Sequence, residues 1–372
     1  MLKRLSLSPQ ESGLLAFVLA VKVLLLLYAG LAHAVIENQS AGSLFELLDY
    51  WRRWDTPHYL QVAARGYVAE GEARLFIVFF PMYPWLVRAM AWLVVDHYIA
   101  ALLVSTLASL ALALALYRLV ALDYGADLAQ RAVALLFVFP TSYFLHIAYT
   151  ESLFLALVVG SALAARSGHW KTAGLLGLFA ALTRVNGALL AALLACEAWR
   201  QWRENRLALY QAWPILLVPT GVLIYLGVNH AVFGDPLHFL EVQRGHWHKR
   251  LAPPWDGLQG AWGWVLRGDP PTNRYMLGVQ EVSFAALAIV MTLISAFRLR
   301  PAYAAWMALN TLLFLSTNFM QSVPRYCLTL FPMMILLAQG FRTPMQWMAF
   351  CVGSTLLLAL FSFQFSMGRW GF

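Results

Sequence analysis

Residues 51 to 59 read Trp-Arg-Arg-Trp-Asp-Thr-Pro-His-Tyr, and Arg65-Gly66-Tyr67 follow shortly after. Two tryptophans, two arginines, an aspartate and a histidine thus fall within nine residues, directly after the first membrane-length apolar run. Ionisable groups in or beside apolar segments are costly, which makes them functional candidates. Asp55 has the chemistry of a general base, because a carboxylate beside an incoming hydroxyl can take its proton. Four more polar clusters punctuate the apolar sequence: Tyr149-Thr150-Glu151-Ser152; Arg184 with Asn186; the stretch from Gln243 through His246, Trp247, His248 and Lys249 to Arg250; and Asn318, Gln321, Arg325 and Tyr326. Carboxylates grouped with several arginines suit an anionic, phosphate-bearing substrate, since the guanidinium fork matches phosphate oxygens. The aromatic density around Trp51, Trp54, Tyr59 and Tyr67 suits both a lipid interface and stacking on sugar faces.

Each residue also has a plainer reading. Asp55 can pair with Arg52 or Arg53, or cap a helix that opens at Thr56-Pro57. Glu151 can serve the first turn of the next helix. Arg184 can snorkel or bind backbone carbonyls, and Arg325 can anchor an interface. His246 and His248 have the look of a metal pair but lack a third ligand nearby in sequence.

The elements that must position these residues are membrane helices. The 372-residue chain is 61% hydrophobic and 12% charged, against roughly 25% charged for a soluble domain. Its mean hydropathy is +0.65. Apolar runs fall near 12–35, 76–95, 98–120, 131–148, 151–165, 172–198, 212–233, 277–297, 302–317, 325–341 and 344–365, each close to the length of about 20 residues that a span needs. The expected architecture is all-α and polytopic, a single integral membrane domain over 1–372 with about 11 spans. The net charge of +8 belongs to helix ends rather than to a soluble basic face, which excludes a nucleic-acid partner. Cys196, Cys327 and Cys351 sit far apart in apolar runs, with no metal spacing. Lys3 and Arg4 precede the first run, and Ala32-His33-Ala34 resembles a cleavage site, but Lys22 interrupts the run and many spans follow. An uncleaved first helix with a cytoplasmic N-terminus is the expectation.

Loops at Arg118–Arg131, Arg166–Lys171, Arg200–Arg206, Arg298–Arg300 and Arg342 are basic and belong in the cytoplasm by the positive-inside rule. The longer stretches 36–75 and 234–276 then lie on the extracytoplasmic side, carrying short interfacial helices. A literal count of runs contradicts this, placing the loops at 121–131 and 166–171 outside. Two changes restore it. The run 76–95, with Pro81, Pro84 and Arg88, lies along the interface. The run 172–198 breaks at Thr183-Arg184-Val185-Asn186-Gly187, with its joint at the outer side. All five polar clusters then converge on the extracytoplasmic face.

The residues at these positions also carry a resemblance. Trp54-Asp55-x-x-His58-Tyr59, Ala63-Ala64-x-Gly66-Tyr67-x-x-Glu70 and Phe79-Phe80-Pro81-Met82-Tyr83-Pro84 resemble the PIG-V family, the GPI mannosyltransferase 2 enzymes and their bacterial relatives within the GT-C superfold. Pro140-Thr141-Ser142-x-Phe144, Tyr149-Thr150-Glu151-Ser152-x-Phe154, Arg184-x-Asn186-Gly187, Gly234-Asp235-Pro236-x-x-Phe239, Gln243 and Arg325-Tyr326 continue the match. The resemblance implies a GT-C-type helix bundle and an inverting transfer of mannose from a polyprenyl-phosphate donor to a hydroxyl on the extracytoplasmic face. It implies Asp55 as the general base and Glu151 as a residue that orients or assists the acceptor. Arg184, Arg325 and Arg250 would hold the donor phosphate, and Trp54, His58, Tyr59, Tyr149, Asn186, Gln243 and Tyr326 would line the substrates. The loop 234–276 would cover the donor. The partners implied are the lipid-linked sugar, a lipid or glycan acceptor and membrane lipids. No cofactor is demanded, though GT-C enzymes differ in using a divalent ion, Mg2+ or Mn2+. The short loops and the Ala, Leu, Arg and Trp content look bacterial, which implies the inner membrane. A transporter or flippase of lipid-linked sugars is the alternative, since it also places Arg and Glu near a cavity. Against it, no repeated half with paired broken helices is evident.

Overall fold

A computed structural model describes residues 7–372, so Lys3 and Arg4 lie outside the described residues. The fold is helical, and among the described residues the one β-like contact is an isolated antiparallel bridge between Leu251 and Thr317. The chain opens with α1 (Pro9–Ile36), started by a capping box between Ser8 and Glu11. Two short helices follow in the first loop, α2 (Leu44–Asp49) and α3 (Thr56–Arg65), and then α4 (Met82–Val94). Helix α5 (His97–Tyr124) runs from an Asp96 cap to Gly125, whose φ of +87° ends it. Helices α6 (Ala126–Val138), α7 (Glu151–Arg166), α8 (Trp170–Thr183), α9 (Leu190–Arg203) and α10 (Leu217–Phe233) continue the bundle. The second loop carries α11 (His238–Gly245) and α12 (Pro254–Arg267), and a single turn, α13 (Pro271–Asn273), leads into α14 (Gln280–Arg298). The chain finishes with α15 (Pro301–Leu315), the short α16 (Val323–Cys327), α17 (Phe331–Gly340) and α18 (Pro344–Ser366).

Five segments are long and apolar enough to cross a membrane unaided: Pro9–Ile36, His97–Tyr124, Leu209–Phe233, Pro271–Arg298 and Pro344–Ser366. Several other apolar runs are shorter as helices than they look in sequence. The run 131–148 stops being α-helical at Val138, before Pro140, and Phe139–Thr150 is fully buried, with a 3-10 turn at Ser142–Leu145 and otherwise irregular backbone. The run 172–198 breaks at Arg184, as expected, and Val185–Leu189 forms a 3-10 turn between α8 and α9. The run 325–341 is divided into α16 and α17. Non-helical backbone at such depth is tolerated only inside protein or along a cavity. The residues of the candidate site lie in or next to these breaks.

The run 76–95 differs from expectation. Glu72–Val78 is a 3-10 turn, bent by 113° from α4, and Pro81 opens α4. At 13 residues, α4 reaches only about 20 Å. It packs antiparallel on the first turns of α5, where the Tyr83 hydroxyl donates to the Ala101 carbonyl at 3.1 Å and lies 3.0 Å from Ser105 Oγ. Tyr83, Val87 and Ala91 form its buried stripe, while Trp85, Trp92 and Leu93 face outward. Thus α4 is a hairpin partner of α5 rather than a helix continuous from 76.

The two ends of the bundle differ in charge. At one end Asp123 accepts from Arg166, from Arg300 at 2.9 Å and from the Tyr303 hydroxyl at 3.0 Å. Glu197 takes Arg300 at 3.2 Å and Gln201 at 2.8 Å, so α5, α7, α9 and α15 are tied together. Glu11 meets Arg118 at 2.6 Å there, and Arg131 lies over the Trp347 ring at the start of α18. The basic loops therefore gather at one end, as the broken-helix arrangement requires and the literal count does not. Between the ends, glycine lets α8 come close to α10 and to the Leu209–Leu216 3-10 turn before it: a Cβ on Gly174 would land on the Pro214 carbonyl, and one on Gly221 on the Leu178 carbonyl.

Candidate active site

The site lies at the opposite end. Its first wall is the loop before α3. Trp51 is buried against Tyr143 and Phe365, at ring distances of 6.2 and 6.1 Å, and fixes the loop's root. Trp54 has a φ of +54°, a left-handed conformation that is costly for a bulky side chain and that tends to persist at functional sites. The turn presents Asp55. Its backbone N–H donates to the Tyr149 hydroxyl at 3.1 Å, and Thr56 Oγ1 donates to the Ala148 carbonyl at 3.3 Å. Pro57 then opens α3, and the Asp55 side chain makes no capping bond. Nor does it pair with its neighbours: Arg52 binds Asp49 at 2.6 Å, and Arg53 Nε donates to the Ser366 carbonyl at 3.3 Å. Both plain readings of Asp55 are therefore displaced by a distant partner.

That partner is Arg325, whose Nη1 lies 3.1 Å from Asp55 Oδ2. Arg325 Nε also donates to Glu151 Oε1 at 2.6 Å, and Arg184 Nη1 donates to the same oxygen. Arg184 Nη1 reaches Thr150 Oγ1 at 2.9 Å as well. Four charges thus form a chain, Asp55–Arg325–Glu151–Arg184, drawn from the first loop, the short α16, the start of α7 and the break after α8. The signs balance. Exposure differs sharply along it: the Glu151 side chain is sealed at 0%, whereas Asp55 keeps 28%. Asp55 Oδ1 has no hydrogen-bond partner among the described residues, on a side chain that is partly exposed. Glu151 Oε2 is buried without a partner.

Aromatic rings frame the chain. The Arg325 guanidinium sits 4.6 Å from the Phe144 ring centre and 4.7 Å from that of Tyr149. Arg184 lies 5.9 Å from the Tyr326 ring. Such contacts help hold a desolvated cation. Tyr59 is buried edge-on to Phe79, Tyr83 and Tyr149, and burial pushes its phenol above the ordinary range. His58 packs on Phe76 at 4.4 Å and Phe79 at 5.2 Å, with Trp247 of the second loop at 6.2 Å. Burial lowers its pKa, with Asp55 opposing and His246 adding to the fall. Trp54 is 43% exposed, edge-on to Trp370.

Some expected residues stand elsewhere. Asn186 donates to Asn310 Oδ1 at 2.8 Å, tying the helix break to α15, which is a structural task. Gln243 is half-buried on α11, and its carbonyl accepts the Lys249 N–H. Arg250 is exposed, and its backbone N–H donates to Asn318 Oδ1 at 2.8 Å. Its neighbour Lys249 turns inward instead, with Nζ 3.4 Å from the Tyr326 hydroxyl. Glu281 was not anticipated either. It is buried on α14, and its two oxygens accept the Ser322 and Val323 N–H groups at 2.7 and 2.9 Å, steadying the turn that carries Arg325. Phe144, quoted only as a motif position, supplies a ring under Arg325.

Other motif residues are scaffolding. The Tyr67 hydroxyl donates to the Phe79 carbonyl at 2.5 Å, and Arg88 Nε caps the end of α3 at the Ala63 carbonyl at 2.6 Å. Gly234-Asp235-Pro236 ends α10 and makes a turn, Asp235 Oδ1 accepting from the Leu237 N–H at 2.9 Å. Among the described residues, the one group with metal-like proximity is Asp235, His238 and Glu241, not His246 and His248. The charge chain itself does not fit a divalent ion. Its carboxylates already face two guanidinium groups, whereas Mg2+ demands an octahedron of oxygen ligands.

No family model matches the sequence. Over 207 residues the chain is 28% identical to GPI alpha-1,6-mannosyltransferase 2 of Rattus norvegicus, a match covering 49% of this chain and 41% of that protein. The match thus spans less than half the length of that relative, which is of the kind the motifs resemble. The structure is similar to that of ArnT from Cupriavidus metallidurans bound to undecaprenyl phosphate. The TM-score is 0.54 at 16% identity, over 93% of this chain and 64% of that one. With ArnT in the apo state the TM-score is 0.50, also at 16% identity, over 80% and 56%. The fold is a GT-C-type transmembrane helix bundle.

Proposed function

We propose that this chain is a membrane glycosyltransferase that moves a mannosyl group from a polyprenyl-phosphate carrier to a hydroxyl of a glycolipid or glycan, with inversion. The observation that carries this reading is the Asp55–Arg325–Glu151–Arg184 chain, balanced in charge, open at Asp55 and closed at Glu151. Asp55 Oδ1 takes the acceptor proton as the acceptor oxygen attacks the anomeric carbon. The bond from that carbon to the phosphate oxygen breaks, and its electron pair stays on the lipid phosphate. Arg184 and Arg325 stabilise the charge that develops there. The leaving group is a phosphate, so no general acid is required. Sealed beneath both arginines, Glu151 suits the alignment of their guanidinium groups better than contact with the acceptor. The curated relative supports a mannosyl donor, and the polyprenyl-phosphate class accords with the ligand named for the ArnT structure. The reading routes no step through a metal. By the positive-inside rule the basic end faces the cytoplasm and the site faces outward, in keeping with a bacterial inner membrane.

The test is transfer of radiolabel from polyprenyl-phosphate-mannose to a host lipid extract by the purified chain, with and without EDTA. Asp55→Asn should lower transfer by about 10²- to 10⁴-fold, His246→Ala should keep it, and EDTA should leave it unchanged. Full transfer by Asp55→Asn would exclude the general-base role. Equal use of polyprenyl-phosphate-glucose would exclude mannose selectivity.

A further inference from the structure

The ion-paired chain is neutral, yet the reaction proposed above brings in a phosphodiester and leaves a phosphate monoester with about one more negative charge. The structure places one more cation beside it. Residues 248–252 are clipped to 316–318: Asn318 Nδ2 donates to the His248 carbonyl at 3.0 Å, Asn318 N–H to the Arg250 carbonyl at 3.1 Å, and Ala252 N–H to the Ser316 carbonyl at 3.2 Å. His248 sits at a φ of +53° at the start of this clip. The clip turns Lys249 inward. Its ammonium lies 5.3 Å from the Tyr326 ring centre and 5.8 Å from that of Phe319, while the Arg184 guanidinium lies 5.9 Å from the same Tyr326 ring. Two cations therefore share one phenol ring.

No carboxylate lies within ion-pair distance of Lys249 among the described residues. Glu281 feels its charge, but both Glu281 oxygens are engaged by the Ser322 and Val323 N–H groups. Two like charges on one ring, one of them without a counterion, are poised for an anion.

We infer that Lys249, delivered by the 248–252 clip, is a phosphate-binding residue that compensates the charge gained by the departing lipid phosphate. The inference rests on the glycosyltransferase reading and narrows it: Lys249 joins Arg184 and Arg325 around the phosphate, beside the Tyr326 hydroxyl. Arg250, one residue on, remains outside.

The experiment is binding of undecaprenyl phosphate, with undecaprenol as the uncharged probe, to the full chain in nanodiscs. Lys249→Met keeps the stem over Tyr326 and Phe319 and removes the charge. It should weaken undecaprenyl phosphate about 10- to 100-fold, as loss of a charged hydrogen bond does. Undecaprenol binding should be unchanged. Lys249→Arg should restore most of the affinity, and Arg250→Met should leave it as in the wild type. With salt, the wild-type affinity should fall more steeply than that of Lys249→Met. In transfer assays Lys249→Met should lower kcat as well as raise the donor KM, because the charge it meets is greatest after bond cleavage. Wild-type affinity for undecaprenyl phosphate in Lys249→Met would overturn the inference, and so would an equal loss for undecaprenol. Arg184→Gln separates the two levels. If it abolishes phosphate binding while Lys249→Met does not, the donor reading stands and the role of Lys249 falls. If neither variant affects binding, the donor reading falls too.

Discussion

Two carboxylates bound to one arginine do different work here because their surroundings differ. Asp55 is partly open and leaves an oxygen free, whereas Glu151 is sealed between two guanidinium groups. Removing each charge should therefore have opposite signatures. Asp55→Asn retains an acceptor for Arg325 and should cost about 1–2 kcal/mol of stability, yet lower transfer by about 10²- to 10⁴-fold. Glu151→Gln leaves Arg184 without a carboxylate in a buried cluster, and Arg325 with Asp55 alone, and should destabilise the protein by about 3–5 kcal/mol. Melting followed by scanning fluorimetry, run beside the transfer assay, separates them; similar melting points would contradict the division of labour. His58 offers a pH signature. Its folded pKa is depressed, so the unfolded chain binds the extra proton and stability rises with pH. Its contribution is fully present above the ordinary value of about 6.5 and is lost as pH falls through that value towards the depressed one. His58→Phe, which suits the Phe76 and Phe79 cage, should flatten the decline in melting temperature below about pH 6.5.

The elements explain how residues 270 positions apart meet. Helices α6, α8 and α15 stop short, and the irregular backbone that follows each one turns back into the bundle, bringing Tyr149, Arg184 and Arg325 together. One of these stops was legible in the sequence: Arg184 with Asn186 and Gly187 is too polar for an unbroken span. The stop of α6 was not, although Pro140 marks it, because the apolar composition runs on to Ala148. The long helices were legible as well, since α1 and α5 carry both apolar length and caps. The bend between Glu72–Val78 and α4 was not, because the composition stays apolar across it. Nor was the choice between Lys249 and Arg250. In an extended clip neighbouring side chains point to opposite faces, and nothing local sets which faces inward. Glu281 escaped notice for a related reason: it serves backbone N–H groups 41 and 42 residues away. That clamp predicts a positioning effect. Glu281→Gln can accept one of the two N–H groups but offers an amide N–H to the other, so the Arg325 turn should loosen. We expect kcat to fall about tenfold with the donor KM little changed, and Glu281→Asp to recover part of the loss. A change confined to melting temperature would make Glu281 purely structural.

At the scale of the whole molecule, the two ends are ionic in different ways. Asp123, Glu197, Arg166 and Arg300 close one end with balanced pairs among α5, α7, α9 and α15, and the basic loops lie around them. The other end leaves Asp55 partly open and, among the described residues, Lys249 without a carboxylate. If the first end faces the cytoplasm, the second meets carrier and acceptor outside. Single cysteines at the exposed positions Ser40 and Ser167, in a chain freed of Cys196, Cys327 and Cys351, report this directly. An impermeant maleimide added to intact cells should label position 40 and spare position 167 until the membrane is opened. Labelling of both from outside is what the literal count of apolar runs requires. It would place the Asp123–Arg300 cluster and the Asp55–Arg325 pair on one side of the bilayer. The 28-residue α5 argues against that: from Ala101 and Ser105, where Tyr83 and Tyr149 meet it, to Asp123 it rises roughly 27 to 33 Å, about the 30 Å of hydrocarbon it must cross.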